Sequence, residues 1–158
     1  MDWLNHLFNW FISQRMERIE NFMKHPYQVQ EEWWRKLIAH GKYTEWGKKY
    51  DYQSIDNLET FRQRVPISTY EQLFPYIERT LKGEQNILWN TKISHFSKSS
   101  GTTNDRSKYI PVSKESLEEC HYRAGKDMIA LYVSRFPDAQ IFKCKSISIG
   151  GSYQENPF

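Results

Sequence analysis

Cysteine, glycine and proline are all scarce in this chain, at 2, 7 and 6 of 158 residues. Cys120 and Cys144 are too few for a disulfide framework and read as reduced thiols. So little glycine and proline excludes collagen-like and low-complexity chains. Nor does one sign of charge dominate: 22 basic and 19 acidic residues leave a formal net charge of +3. The two signs are interleaved, whereas a dedicated nucleic-acid binder gathers its basic residues into a stripe, so no nucleic-acid partner is expected. No apolar run nears the roughly 20 residues that span a bilayer. The first residues lack the basic start, apolar centre and small-residue cleavage site of a secretory signal. The five histidines have no metal-ligand spacing with one another or with the cysteines, so no metal site is expected among the chain's own side chains. These absences read as a cytoplasmic protein with no membrane partner.

What is abundant is aromatic: Trp, Tyr and Phe make up 16% of the chain. A chain this long buries roughly two-thirds of its unfolded surface, enough for a real core. Residues 1–83 read as mainly helical. Trp3, Leu4, Leu7, Phe8, Phe11, Ile12, Met16, Ile19 and Met23 recur every three or four residues, which predicts one amphipathic helix over 3–23. Its polar face carries both signs of charge, so packing against protein is favoured over a membrane interface. A second helix is predicted over 27–39 with Trp33, Trp34, Leu37 and Ile38 inward, and Thr44 then caps a short turn from Trp46 to Tyr50. Asp56 with Glu59, and Ser68 with Glu71, have capping-box spacing. Pro75 predicts a kink or a break between them and Gly83.

From residue 84 the character changes. Ile87–Trp89, Ile93–Phe96, Tyr109–Val112 and Ile147–Ile149 read as strands. A helix is expected from Ser113 to about Arg135, with Leu117, Met128, Ile129, Leu131, Tyr132 and Phe136 inward. The predicted fold class is α/β: a helical N-terminal portion, then the start of a mixed or parallel sheet with a packing helix. Residues 84–158 form the first strands and helix of that incomplete α/β domain. So few strands leave raw sheet edges, which read as the front portion of a longer protein and offer a route to self-association.

Chemistry concentrates in the polar stretch Ser97–Lys108. Small hydroxyl residues around one glycine let several backbone N–H groups converge into a nest for phosphate oxygens. The hydroxyls of Ser99, Ser100, Thr102 and Thr103 add donors without bulk, and Lys108 or Arg106 supplies a cation. On composition alone, the same run is also an ordinary solvated connection between strands. Neither the Walker spacing nor the glycine pattern of dinucleotide folds is present.

Ser99-Ser100-Gly101-Thr102-Thr103, followed by Lys108 and Ile110-Pro111, resembles the phosphate-binding motif of the acyl-adenylate-forming superfamily of luciferase and acyl-CoA synthetases. The match is closer to the auxin-responsive acyl-acid–amido synthetase family and its bacterial relatives. Val65–Arg79, Lys82-Gly83-Glu84 and Thr44–Lys48 resemble the same family in the same order. The superfamily's glycine after the threonine pair is Asn104 here, a residue that tolerates left-handed angles. The resemblance implies an ATP-dependent ligase that activates a carboxylic acid as its acyl-adenylate and passes the acyl group to an amino acid or a thiol. It implies ATP and Mg²⁺ as cofactors. Ser99, Ser100, Gly101, Thr102, Thr103 and Lys108 would form the phosphate-binding loop. The adenine, ribose and magnesium contacts and most of the acyl pocket would lie beyond Phe158, so the chain alone is expected to be inactive. The contrasting reading is an interaction module that uses its helices and aromatic surfaces to bind another chain.

Overall fold

The computed structural model describes residues 2–99 and 107–141, together with Lys145, Ile147, Gly150 and Glu155. They fall into two compact units: the described residues of 1–29 and 118–155 in one, and those of 30–117 in the other.

The first unit pairs α1 (Asp2–Lys24) with α7 (Tyr122–Arg135), the longest and the last helices among the described residues. Ile12 and Ile19 of α1 close on Ala130, which is 0% exposed, and Phe8, Met16 and Ile129 pack around them. Spacings of four and three place Phe8, Ile12, Met16 and Ile19 on one stripe. Arg15 Nε donates to Asp127 Oδ1 at 2.6 Å, and the Asn5 and Asn9 side chains donate to the carbonyls of Ala139 and Pro137. The predicted helix is present, but its apolar stripe is wider than its contact. Trp3, Leu7, Phe11 and Met23 are exposed.

Before α7 the chain runs through α6 (Lys114–Ser116) and a π-helical turn, Leu117–His121. Ser113 caps this run by accepting from Ser116 N at 3.0 Å. A π turn takes about one residue more than an α turn, so it rotates every later side chain about the axis. Ala130 and Val133 are therefore the buried positions of α7, while Met128, Leu131, Tyr132 and Phe136 are exposed.

The second unit contains most of α2 (Pro26–Gly41), with α3 (Glu45–Lys49), α4 (Leu58–Arg64), α5 (Tyr70–Leu81) and a hairpin of β1 (His95–Lys98) and β2 (Tyr109–Val112). On α2 only Ile38 and Gly41 are buried; Trp33 and Leu37 are exposed, against expectation. Thr44 caps α3 as expected, accepting from Gly47 N at 3.0 Å. The other two caps lie one residue later than predicted. Asn57, not Asp56, caps α4, and the reciprocal box of α5 is Thr69 with Gln72. Helix α5 runs through Pro75 as one element, without the predicted break into two pieces.

Ile87–Trp89 is not a strand. The carbonyls of Asn86 and Ile87 accept Glu45 N and Trp46 N at 3.0 Å each, filling orphan donors at the start of α3. Ile93 also stays outside β1, because the Gln85 side-chain amide takes both its N–H and its carbonyl. Strands β1 and β2 pair antiparallel in the register His95↔Val112 to Lys98↔Tyr109. A helical front followed by the first strands agrees with the predicted α/β class. The expected strand at Ile147–Ile149 lies largely outside the described residues.

Candidate functional site

The hairpin sets up the neck of the hydroxyl-rich loop. Ser99 N donates to the Lys108 carbonyl at 2.9 Å, and Lys108 N donates to Ser99 Oγ at 2.9 Å. Two of the predicted site residues are thereby brought face to face. Ser100, Gly101, Thr102 and Thr103, and the alternative cation Arg106, lie outside the described residues. Ser99 Oγ accepts within the neck, and a hydroxyl that accepts one bond keeps its proton to donate.

Because Ser99 N bonds the Lys108 carbonyl across the ladder, the next pair, Lys98 and Tyr109, falls at a non-hydrogen-bonded position. The N–H and carbonyl of Tyr109 therefore face the outer edge of β2. There the Tyr70 hydroxyl takes both, accepting from Tyr109 N at 2.9 Å and donating to Tyr109 O at 3.3 Å. Tyr70 is the first residue of α5, held by the Thr69–Gln72 cap, and its ring packs on Phe74.

The Lys108 ammonium lies 5.2 Å from the centroid of the Tyr70 ring and 3.8 Å from Glu71 Oε1. The Glu71 carboxyl is held below the usual carboxylate range. Its own backbone N–H at the helix start contributes most, then the Thr69 hydroxyl, with Lys108 adding to both. The arrangement places the Lys108 cation against an aromatic face and beside a carboxylate. Tyr70 and Glu71 were not among the sequence-predicted site residues. The signal that could have found them is the family-like Val65–Arg79 segment in which both lie.

A cavity of about 590 Å³ lies elsewhere in this unit, against α3 and α5, and is lined among others by Trp46, Lys49, Tyr50, Ile67 and Tyr76. Lys49 Nζ donates to the Tyr76 hydroxyl at 2.8 Å, and Arg79 forks between Glu45 and Glu84. His95, next to the loop, is exposed at the start of β1, with Nδ1 3.1 Å from Ser94 Oγ. No helix among the described residues is long and apolar enough to cross a membrane.

Residues 15–158 match the family model described as GH3 family N-terminal domain. Among curated proteins, an indole-3-acetic acid-amido synthetase, GH3.2 of Arabidopsis thaliana, is 34% identical over 101 residues, which is 63% of this chain and 18% of that protein. A jasmonoyl–L-amino acid synthetase, JAR6 of Nicotiana attenuata, is 33% identical over 104 residues, or 65% of this chain and 18% of that protein. The chain thus spans less than a fifth of the length of these relatives. The solved structure of the GH3.15 acyl acid amido synthetase shares the fold, with a TM-score of 0.70 at 24% identity over 78% of this chain and 22% of that one.

Proposed function

Because the chain belongs to the GH3 family, we propose that it supplies the phosphate-binding part of an ATP-dependent acyl-acid amido synthetase. In the first step a substrate carboxylate oxygen attacks the α-phosphorus of ATP. The bond to the bridging oxygen breaks, and pyrophosphate leaves with its electron pair. In the second step an amino acid's amine attacks the acyl carbon and AMP departs. The first step is mostly positioning and charge stabilisation. The loop from Ser99 through Ser100, Gly101, Thr102 and Thr103 would hold the departing β- and γ-phosphates, and Lys108 would offset their charge.

The observation that carries this reading is the neck itself. Ser99 and Lys108 bond to each other at 2.9 Å, so the lysine stands at the foot of the hydroxyl-rich loop. The names of the relatives support the acid and amine substrates, since both are amido or amino acid synthetases. Mg²⁺ would accompany ATP and share the neutralisation of its phosphates. Among the described residues no group of three or more His, Cys, Asp or Glu could hold a metal, so none of them is given a metal-ligand role. ATP is a cytosolic metabolite, and the cytoplasm is the proposed compartment.

The test is ATP–pyrophosphate exchange by the intact polypeptide that carries these residues. Ser100→Ala and Lys108→Ala should each lower exchange about a hundredfold, the usual cost of removing one anion-stabilising donor. Unchanged exchange in both removes the nucleotide assignment. The second reading, an interaction module, rests on the exposed Trp3, Leu7, Trp10 and Phe11 of α1 and would then be the one left standing.

A further inference from the structure

We propose that Tyr70 is a positioning residue that fixes the exit of the phosphate-binding loop and so places the Lys108 ammonium, an inference that rests on the reading above. The residue after Lys108 has its N–H and its carbonyl bound by one hydroxyl, at 2.9 and 3.3 Å. Both groups point away from β1, and Tyr70 supplies both of these bonds. A lysine side chain has four rotatable bonds, and its ammonium is only as well placed as the backbone that carries it. Tyr70 controls that backbone with its hydroxyl. It also bounds the side chain with its ring, whose centroid is 5.2 Å from Lys108 Nζ, within the range of cation–π attraction.

The anchor is itself well held. Tyr70 opens α5, where the Thr69 and Gln72 cap satisfies donors on both sides of it. The residue therefore joins the helix before the loop to the strand after it, across 39 positions of sequence. If Tyr70 only completed the sheet edge, removing its hydroxyl would reduce the amount of active protein and leave the substrate affinities of the remainder unchanged. If it positions Lys108, the affinity for ATP must change while that for the acid does not.

The experiment measures ATP–pyrophosphate exchange by the intact polypeptide, with wild type, Tyr70→Phe, Tyr70→Leu, Lys108→Ala and the Tyr70→Phe/Lys108→Ala double variant. Tyr70→Phe keeps the ring and loses both hydrogen bonds. It should raise the KM for ATP about tenfold, with the KM for the acid within twofold of wild type. Tyr70→Leu, which loses the ring as well, should raise it further. The double variant should match Lys108→Ala alone, because a residue that acts through Lys108 has nothing left to position. A wild-type KM for ATP in Tyr70→Phe, or additive losses in the double variant, would overturn the proposal while leaving the nucleotide reading intact, provided Lys108→Ala has lost exchange. Wild-type exchange in Lys108→Ala would overturn this inference, and the same result in Ser100→Ala as well would overturn the nucleotide reading with it.

Discussion

Gly47 of α3 lies directly against the backbone of Gly41 at the end of α2. A Cβ on Gly47 would overlap the Gly41 carbonyl oxygen and stand 3.0 Å from Cα of Lys42. Thr44, 0% exposed, draws the two together: its hydroxyl donates to Gly41 O at 2.6 Å and accepts from Gly47 N at 3.0 Å. The contact sets the corner from which the rest of the second unit is built.

Gly47→Ala therefore tests the corner by its sign. Helix propensity alone favours alanine over glycine by about 1 kcal/mol. Here the obstacle is backbone, which cannot swing aside as a flexible side chain would, so the substitution should destabilise by about 3 kcal/mol, the upper range for overpacking. The midpoint of urea unfolding should fall; a rise would show that the two segments can part without cost.

Arg79 joins Glu45 and Glu84. It meets the Glu45 carboxylate with two N–H groups, at 2.8 and 2.7 Å, and Glu84 Oε2 with Nε at 2.7 Å. These hydrogen bonds hold both carboxyls below their ordinary range and push the guanidinium's own affinity for its proton up. A carboxyl depressed in the folded state stabilises above its unfolded value, about 4.3, and the gain is lost as pH falls through the folded value. Arg79→Leu should therefore lower Tm at pH 7, with the deficit shrinking as pH falls below about 4. A Tm difference that is constant with pH would contradict the ionic account.

Glu71 competes for the Lys108 ammonium, 3.8 Å away. Glu71→Gln removes the competing charge and should lower the KM for ATP two- to threefold, a modest change because exposed pairs are worth only about 0.2–1 kcal/mol. Its carboxyl is held below the usual range, so wild-type Glu71 stays ionised and the ratio of the two KM values should not vary between pH 6 and pH 8. Titrating ATP in the exchange assay at both pH values checks it.

Ala130 is fully buried against Ile12 and Ile19. Ala130→Leu should cost about 1–3 kcal/mol and lower Tm by several degrees, read by circular dichroism. An unchanged Tm would mean that α1 and α7 pack less closely than their core indicates.

The apolar spacing of α1 located a 23-residue helix to within a residue at each end, because a long period-3.6 pattern has few competing solutions. The caps were harder to read. Asp56 and Asn57, like Ser68 and Thr69, are adjacent residues that can each cap a helix, and Asn57 and Thr69 are the ones with extended backbone angles that accept the bond. Ile87 has strand composition, yet it is 2% exposed and gives its carbonyl to α3 instead of to a ladder. No local pattern announces such a use. The π turn before α7 is equally silent in sequence, and it shifts which apolar residues are buried.

The span of α1, the two β-segments of the hairpin and the hydroxyl-rich run between them were determined by sequence alone, because each depends on neighbours within a few positions. The family resemblance was legible for the same reason, as motifs in order. What only the tertiary structure decided is which distant groups meet: Tyr70 with Tyr109, Arg79 with Glu45, Gln85 with the backbone of Ile93. Such pairs form where chain packing leaves a polar group that must be satisfied, and that requirement arises only once the backbone is in place.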